Sequence, residues 1–173
     1  MNLSVPVTLE DVLASRDRRA SRQRQLLDCY GLPLVSFCLN VPGIRKYTTE
    51  LCRVHADGCK ALWQANLNIL HAEVGHYSTG IEGLFVVNTP ARTVKDICCA
   101  IEETHPLGRL FDFDVLGADG TRWKRQHCGY RARTCWVCGG EVWLCRRSEA
   151  HSLEDMWACV RAMMDNAWFG DNR

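Results

Sequence analysis

The sequence predicts an α+β fold built on a ferredoxin-like, split βαβ antiparallel sheet, with a helix before the sheet and a Cys-rich loop plus helix after it. Three observations lead there. Apolar periodicity along residues 34–127 reads strand, helix, strand, strand, helix, strand. Gly and Pro punctuate the junctions between these segments. Phe111-Asp112-Phe113-Asp114-Val115 alternates apolar and acidic residues, the pattern of a strand with two unlike faces.

Thr8 and Asp11 have capping-box spacing, which predicts a helix from there to about Tyr30, stopped by Gly31 and Pro33. Residues 34–41 read as a buried strand closed by Pro42-Gly43. A second helix fits Thr49 to Leu70, with Leu51, Val54, Leu62, Ala65 and Ile69 on its apolar face. Two short strands follow near 72–78 and 84–88, with Gly80 and Gly83 in the turn between them. Thr93 with Asp96 is a second capping box; its helix carries Val94, Ile97, Cys98 and Ile101 and ends at Pro106. A strand from Arg109 to Leu116 then turns at Asp119-Gly120 into another over 121–127. Residues 128–151 read as a Cys-rich loop. Ser152 and Asp155 cap a last helix with Leu153, Met156, Trp157, Val160, Met163 or Met164, and Ala167 on one face. We take residues 1–173 as one domain: helix 1–31, core 34–127 and Cys-rich segment 128–173. In this arrangement both core helices cover one face of the sheet, leaving the other free for a ligand.

Composition narrows the function. The chain has 173 residues, 47% of them hydrophobic, enough for a core. Lys+Arg number 21 against Asp+Glu 20, so there is no basic excess of the kind a nucleic-acid coat needs. Affinity for phosphate must come from local clusters. No apolar run has membrane-spanning length, and the N-terminus lacks the pattern of a secretory signal. Eleven cysteines then read as reduced thiols of a cytoplasmic protein, with Cys38, Cys52, Cys98 and Cys159 on apolar faces.

Asp112 and Asp114 share one face of their strand, a few ångströms apart. Two like charges that close repel, and a divalent cation offsets the repulsion: Mg²⁺ takes one or two carboxylates and completes its shell with phosphate oxygens and water. The alternative is a solvated strand face. Arg109, three residues earlier, suits a metal-bound polyphosphate, or else pairs with Glu102, Glu103 or Asp119 at the rim. Arg16, Arg19 and Arg22 recur every three residues on the first helix and read either as a phosphate wall or as a solvated face. Arg131 and Arg133 are further phosphate candidates, and His105 either touches phosphate or shapes the turn. Cys135-x₂-Cys138, with Cys145 and His151, has the composition of a tetrahedral zinc site, although the spacing is shorter than in common zinc fingers. Four semi-exposed residues in a loop are the alternative. His55, His71, His76 and His127 read as surface or satisfied residues.

Four segments occur in order: Ser15-Arg16-Asp17 with Arg19 and Arg22; Pro33-Leu34-Val35-Ser36-Phe37; His105-Pro106-Leu107-Gly108-Arg109 running into Asp112-x-Asp114-Val115-Leu116; and Cys135-x₂-Cys138-x₆-Cys145-x₅-His151. Together they span almost the whole chain and resemble the apo-citrate lyase phosphoribosyl-dephospho-CoA transferase family, also called citrate lyase holo-acyl-carrier-protein synthases. The resemblance implies transfer from 2′-(5″-triphosphoribosyl)-3′-dephospho-CoA to a serine of the acyl carrier (γ) subunit of citrate lyase, with release of pyrophosphate. It implies no nucleic-acid or membrane partner. On this reading Asp112, Asp114 and Arg109 are catalytic, with Mg²⁺ on the aspartates. Arg16, Arg19, Arg22, His105, Gly108 and Arg133 bind substrate, and any zinc on Cys135, Cys138, Cys145 and His151 is structural.

The Gly108-Arg109-x-x-Asp112-x-Asp114 run is also similar to one in 6-hydroxymethyl-dihydropterin pyrophosphokinases, which are ferredoxin-like and carry a proline between the Gly and the Arg. Polymerase-β-type nucleotidyltransferases share the Asp-x-Asp but usually add a third carboxylate, which the sequence does not reveal. Two other readings stand beside the transferase: a Mg²⁺-dependent pyrophosphokinase acting on a small alcohol with ATP, and a zinc-stabilised binding module without chemistry.

Overall fold

A computed structural model describes residues 7–170; the remaining residues of the 1–173 span lie outside it. The first helix, α1 (Leu9–Tyr30), opens with the expected box: the Asp11 amide donates to Thr8 Oγ1 at 3.1 Å, and the Thr8 amide donates to the Asp11 carboxylate at 2.9 Å. It closes on Gly31, whose φ of 61° lets its N–H reach the Leu27 carbonyl. Strand β1 (Leu34–Leu39) follows.

Helix α2 (Thr49–Gln64) stops six residues before the predicted end. Asn66 takes a left-handed φ of 56°, which ends the helix although Leu67 and Ile69 continue its apolar period. Ile69 instead opens β2 (Ile69–Tyr77). Strand β3 (Gly80–Val87) begins earlier than expected, so Gly83 lies within it. A Cβ at Gly83 would press on the Phe85 ring at 2.8 Å, so strand packing explains that glycine and a turn does not.

Helix α3 (Ala91–Thr104) starts at Pro90; Thr93 and Asp96 lie inside it and form no box. The proline's φ of −54° already suits helix entry, so no side-chain cap is used. A 3₁₀ turn at Gly108–Leu110 replaces the first residues of the expected strand, leaving β4 as Phe111–Leu116. The turn at Asp119-Gly120 forms, with Asp119 accepting from the Thr121 amide and hydroxyl. Its second strand, β5, is Arg122–Trp123 alone, because the chain coils into a 3₁₀ turn at Arg125–Cys128. The segment read as a loop contains a short helix, α4 (Val142–Ser148). Finally α5 (Leu153–Phe169) begins with the expected Ser152–Asp155 box.

The five strands form one antiparallel sheet in the order β2-β3-β1-β4-β5. Val35, Phe37, Phe85, Val87, Phe111, Phe113 and Val115 fill one face, packed by Val54 and Leu62 of α2, Val94 and Cys98 of α3, and Val160 and Met164 of α5. Burying such side chains stabilises by about 1.5–3 kcal/mol each. The opposite face is not left open as the sequence suggested. Helix α1 lies on it through Leu26, against Leu34, Leu84, Val86 and Leu116. The end of that face carrying Asp112 remains accessible. Among the described residues no helix is long and apolar enough to cross a membrane.

His55 of α2 is 2% exposed and stacks on Phe37 at 4.4 Å, and its Nε2 has no hydrogen-bond partner. Burial holds its pKa down to about 4. The unfolded chain therefore takes up this proton more readily than the folded one. Stability is complete above the ordinary histidine value and falls as pH drops from about 6.5 towards about 4, by at most about 1.4 kcal/mol per pH unit. The urea midpoint should fall more steeply with acidification in the wild type than in His55→Leu. Equal slopes would show that His55 is not the titrating group.

Candidate active site

The acidic pair is placed by strand β4 and by what holds its edge. Phe111, Phe113 and Val115 point into the core, so Asp112 and Asp114 point to the face of α1. Beyond β4, strand β5 pairs only with Val115 and Leu116, which leaves the backbone at 111–113 without a strand neighbour on that side. Side chains supply the bonds instead. Arg133 donates to the Phe111 carbonyl at 2.7 Å, Lys95 donates to the Phe113 carbonyl at 2.7 Å, and Glu102 accepts from the Phe113 amide at 3.0 Å. Arg133 also pairs with Glu102 at 2.7 Å. This buried clamp fixes the strand on which both aspartates stand.

Register places Cys38 between Asp112 and Glu82 in one cross-strand row, so the three side chains share a face. Helix α1 reaches that row. Ser15 Oγ donates to Glu82 at 2.7 Å, and Arg19 Nη1 lies 3.2 Å from Glu82 and 3.1 Å from Cys38 Sγ. Arg16, Arg19, Cys38, Glu82 and Asp112 line a cavity of about 460 Å³. A second cavity of about 800 Å³ runs from Asp112 and Arg133 to Trp136, Val142 and His151. The two lobes share Asp112, Val41, Gly43 and Lys46. Lys46 Nζ donates to the Val41 carbonyl, and burial lowers its pKa.

Asp112 is open to water at this junction, yet the surrounding walls desolvate it. Its pKa is raised, first by that burial and then by the charge of Asp114, with Arg133 opposing. Asp114 is half-exposed, 3.7 Å from Arg122. The donor set fits a hard divalent cation: two carboxylates on one face, one carrying charge that its surroundings do not balance. The neighbouring thiol does not compete, because burial pushes Cys38 up to about 12 and keeps it protonated.

The other expected site residues divide. Arg22 lines neither lobe; it forks onto Glu73 of β2, with contacts of 2.8 and 2.9 Å. Arg109 donates to the Thr134 carbonyl at 2.6 Å and so ties β4 to the Cys-rich segment. Its anticipated rim partners are engaged elsewhere: Glu102 with Arg133, Glu103 with Arg125, and Asp119 with Thr121. His105 Nδ1 accepts from the Leu107 amide at 3.0 Å, and its ring lies 4.9 Å from Phe111. Gly108 sits where a Cβ would meet the Glu102 carbonyl at 2.5 Å. Both shape the turn against α3, and neither lines a lobe. Sequence reasoning missed Glu82 and Lys46. An acid inside the apolar run 81–87 was the one available signal for Glu82.

Cys135, Cys138, Cys145 and His151 come together, with ligand atoms all within 4.8 Å of one another. Cys138 Sγ lies 3.5 Å from Cys145 Sγ and 3.3 Å from His151 Nε2. Zn–S bonds of about 2.3 Å in a tetrahedron put sulfurs about 3.8 Å apart, so the cluster is compatible with zinc. Its first two cysteines sit on a tight turn in which the Cys135 amide donates to the Gly140 carbonyl and Gly139 has φ +71°.

Residues 7–167 match the family model described as apo-citrate lyase phosphoribosyl-dephospho-CoA transferase. A protein of that name from Citrobacter koseri is 33% identical over 165 residues, covering 93% of this chain and 90% of the relative. One from Escherichia coli O139:H28 is 31% identical over 168 residues, covering 92% and 90%, and one from Escherichia coli O1:K1 has the same identity and coverage.

Proposed function

Because the chain belongs to the apo-citrate lyase phosphoribosyl-dephospho-CoA transferase family and is a transferase, we propose that it moves the 2′-(5″-phosphoribosyl)-3′-dephospho-CoA group from its triphosphate precursor to a serine of the citrate lyase acyl carrier subunit. The observation that carries this reading is the position of Asp112 where two lobes with cations in both meet, one of about 460 Å³ and one of about 800 Å³ that alone is lined by an aromatic ring, Trp136. A donor with a triphosphate at one end and a dephospho-CoA at the other needs such a junction at its reacting phosphorus.

Asp112 and Asp114 would hold Mg²⁺, which when bound would supply positive charge against the triphosphate. Arg16, Arg19 and Lys46 face the departing pyrophosphate and spread its charge. Glu82 and Ser15 hold Arg19 in place. The carrier serine Oγ bonds to the α-phosphorus, and the P–O bond to pyrophosphate breaks. A carboxylate oxygen of the Asp112–Asp114 pair that is not engaged by the cation takes the hydroxyl proton.

Zinc on the Cys135 cluster belongs to the same reading, as do a single domain over 1–173 and a reducing cytoplasmic setting for its eleven unpaired cysteines. The order β2-β3-β1-β4, with α2 and α3 as the connections, supports reading the core as a ferredoxin-like split βαβ.

Release of pyrophosphate tests the reaction. It should require both donor and apo-carrier and should vanish when the acceptor serine is replaced by alanine; release unaffected by that replacement would exclude the carrier as acceptor. Arg16→Ala should raise KM for the donor about tenfold, about 1.4 kcal/mol of phosphate contact, and leave KM for the carrier unchanged. Arg22→Ala, held by Glu73, should change neither. A rise confined to the carrier KM in Arg16→Ala would make α1 a docking surface instead.

A further inference from the structure

Helix α4 has seven residues, none of them buried, and Trp143 and Leu144 on it are exposed. A helix that short is not stable by itself, and no core contact holds this one. What converges on it is the ligand set: Cys145 from α4, Cys135 and Cys138 from the turn before it, and His151 after it. The same segment is a wall of the 800 Å³ lobe, to which Trp136, Val137, Val142 and Met156 contribute apolar surface and Arg146 a charge. Its base is tied to β4 by Arg109 on the Thr134 carbonyl and by Arg133 on the Phe111 carbonyl.

We propose that Cys135, Cys138, Cys145 and His151 bind one zinc ion, and that the zinc-held segment is the subsite for the dephospho-CoA part of the donor, an adenine nucleotide joined to a pantetheine chain. The subsite assignment rests on the transfer reading above. Size and the aromatic lining separate the two lobes, since both carry cations. Pyrophosphate is small and anionic, and the 460 Å³ lobe offers Arg16, Arg19 and Lys46. The remainder of the donor is large, partly aromatic and partly apolar, and it carries phosphates along its length. It needs a lobe of several hundred cubic ångströms with a flat aromatic surface and a cation, which Trp136 and Arg146 supply. Zinc thus serves binding at a distance from the reacting phosphorus, by holding α4 and its turn beside Trp136, which itself packs on the core.

Protein purified without chelator should carry about one zinc per chain, and cobalt in its place should give the visible absorption of a tetrahedral thiolate site. Dephospho-CoA alone, titrated by calorimetry, should bind the zinc protein and bind Cys138→Ser at least roughly tenfold more weakly, while inorganic pyrophosphate with Mg²⁺ binds both alike. Arg146→Ala keeps every zinc ligand and should also weaken dephospho-CoA, by about tenfold, with pyrophosphate unchanged. This variant decides the matter where Cys138→Ser fails to fold. Zinc below about a tenth of an equivalent would overturn the metal site. Unchanged dephospho-CoA affinity in Arg146→Ala and in Cys138→Ser would overturn the subsite. A wild-type protein that holds zinc and binds dephospho-CoA, but leaves the carrier unmodified, would support this inference while removing the transfer reading.

Discussion

Asp112→Asn and Asp114→Asn should each lower the rate of transfer by about a thousandfold or more at saturating Mg²⁺. Each removes a full negative charge from the pair that would hold the cation, and a metal's hold on developing charge amounts to several kcal/mol; about 4 kcal/mol corresponds to three powers of ten in rate. Neither change should harm folding. The Asp112 carboxyl is raised in pKa by burial and by Asp114, so its ionised form costs folding energy at neutral pH. An amide removes that cost, and the melting temperature should hold or rise. Single-turnover rates with thermal melts on the same samples check both halves. Near-normal rates in either variant would take the cation away from this pair.

Glu102→Ala should be the most damaging substitution for stability among the polar residues near the site. The Glu102 side chain is 4% exposed and holds both Arg133 and the Phe113 amide. Its loss strands a mostly buried guanidinium and a backbone donor together. Breaking a buried pair from one side costs about 3–5 kcal/mol. Replacing the pair together, Glu102→Leu with Arg133→Met, should cost less than Glu102→Ala alone. A loss below about 1 kcal/mol in Glu102→Ala would mean that water accepts from the Phe113 amide and from Arg133 in its place.

Elements whose determinants are local were legible in the sequence. The Thr8 and Ser152 boxes, the Asp119-Gly120 turn and the alternation of β4 each depend on residues a few positions apart, and each formed as expected. Failures came where apolar period and backbone disagree. Leu67 and Ile69 continue the period of α2, but the left-handed Asn66 ends it. Pro90 starts α3 before the residues that looked like its cap. The site divided along the same line. Asp112 and Asp114 share a face because of strand geometry alone. Glu82 joins them only through the register of β3 with β1 and of β1 with β4, which no local pattern encodes. Arg22 followed the helical spacing of Arg16 and Arg19, yet Glu73 on β2 takes it out of the site. Lys46 gave no signal because its burial depends on the packing of a loop against both lobes.

The intact mass of the acyl carrier subunit tests the central claim most directly. Incubated with wild-type protein, the triphosphoribosyl donor and Mg²⁺, the carrier should gain the mass of the donor less pyrophosphate on a single serine, and with Asp112→Asn it should stay at its apo mass over the same time. A carrier equally modified by Asp112→Asn, or one that gains only a phosphate or a pyrophosphate, would contradict the account.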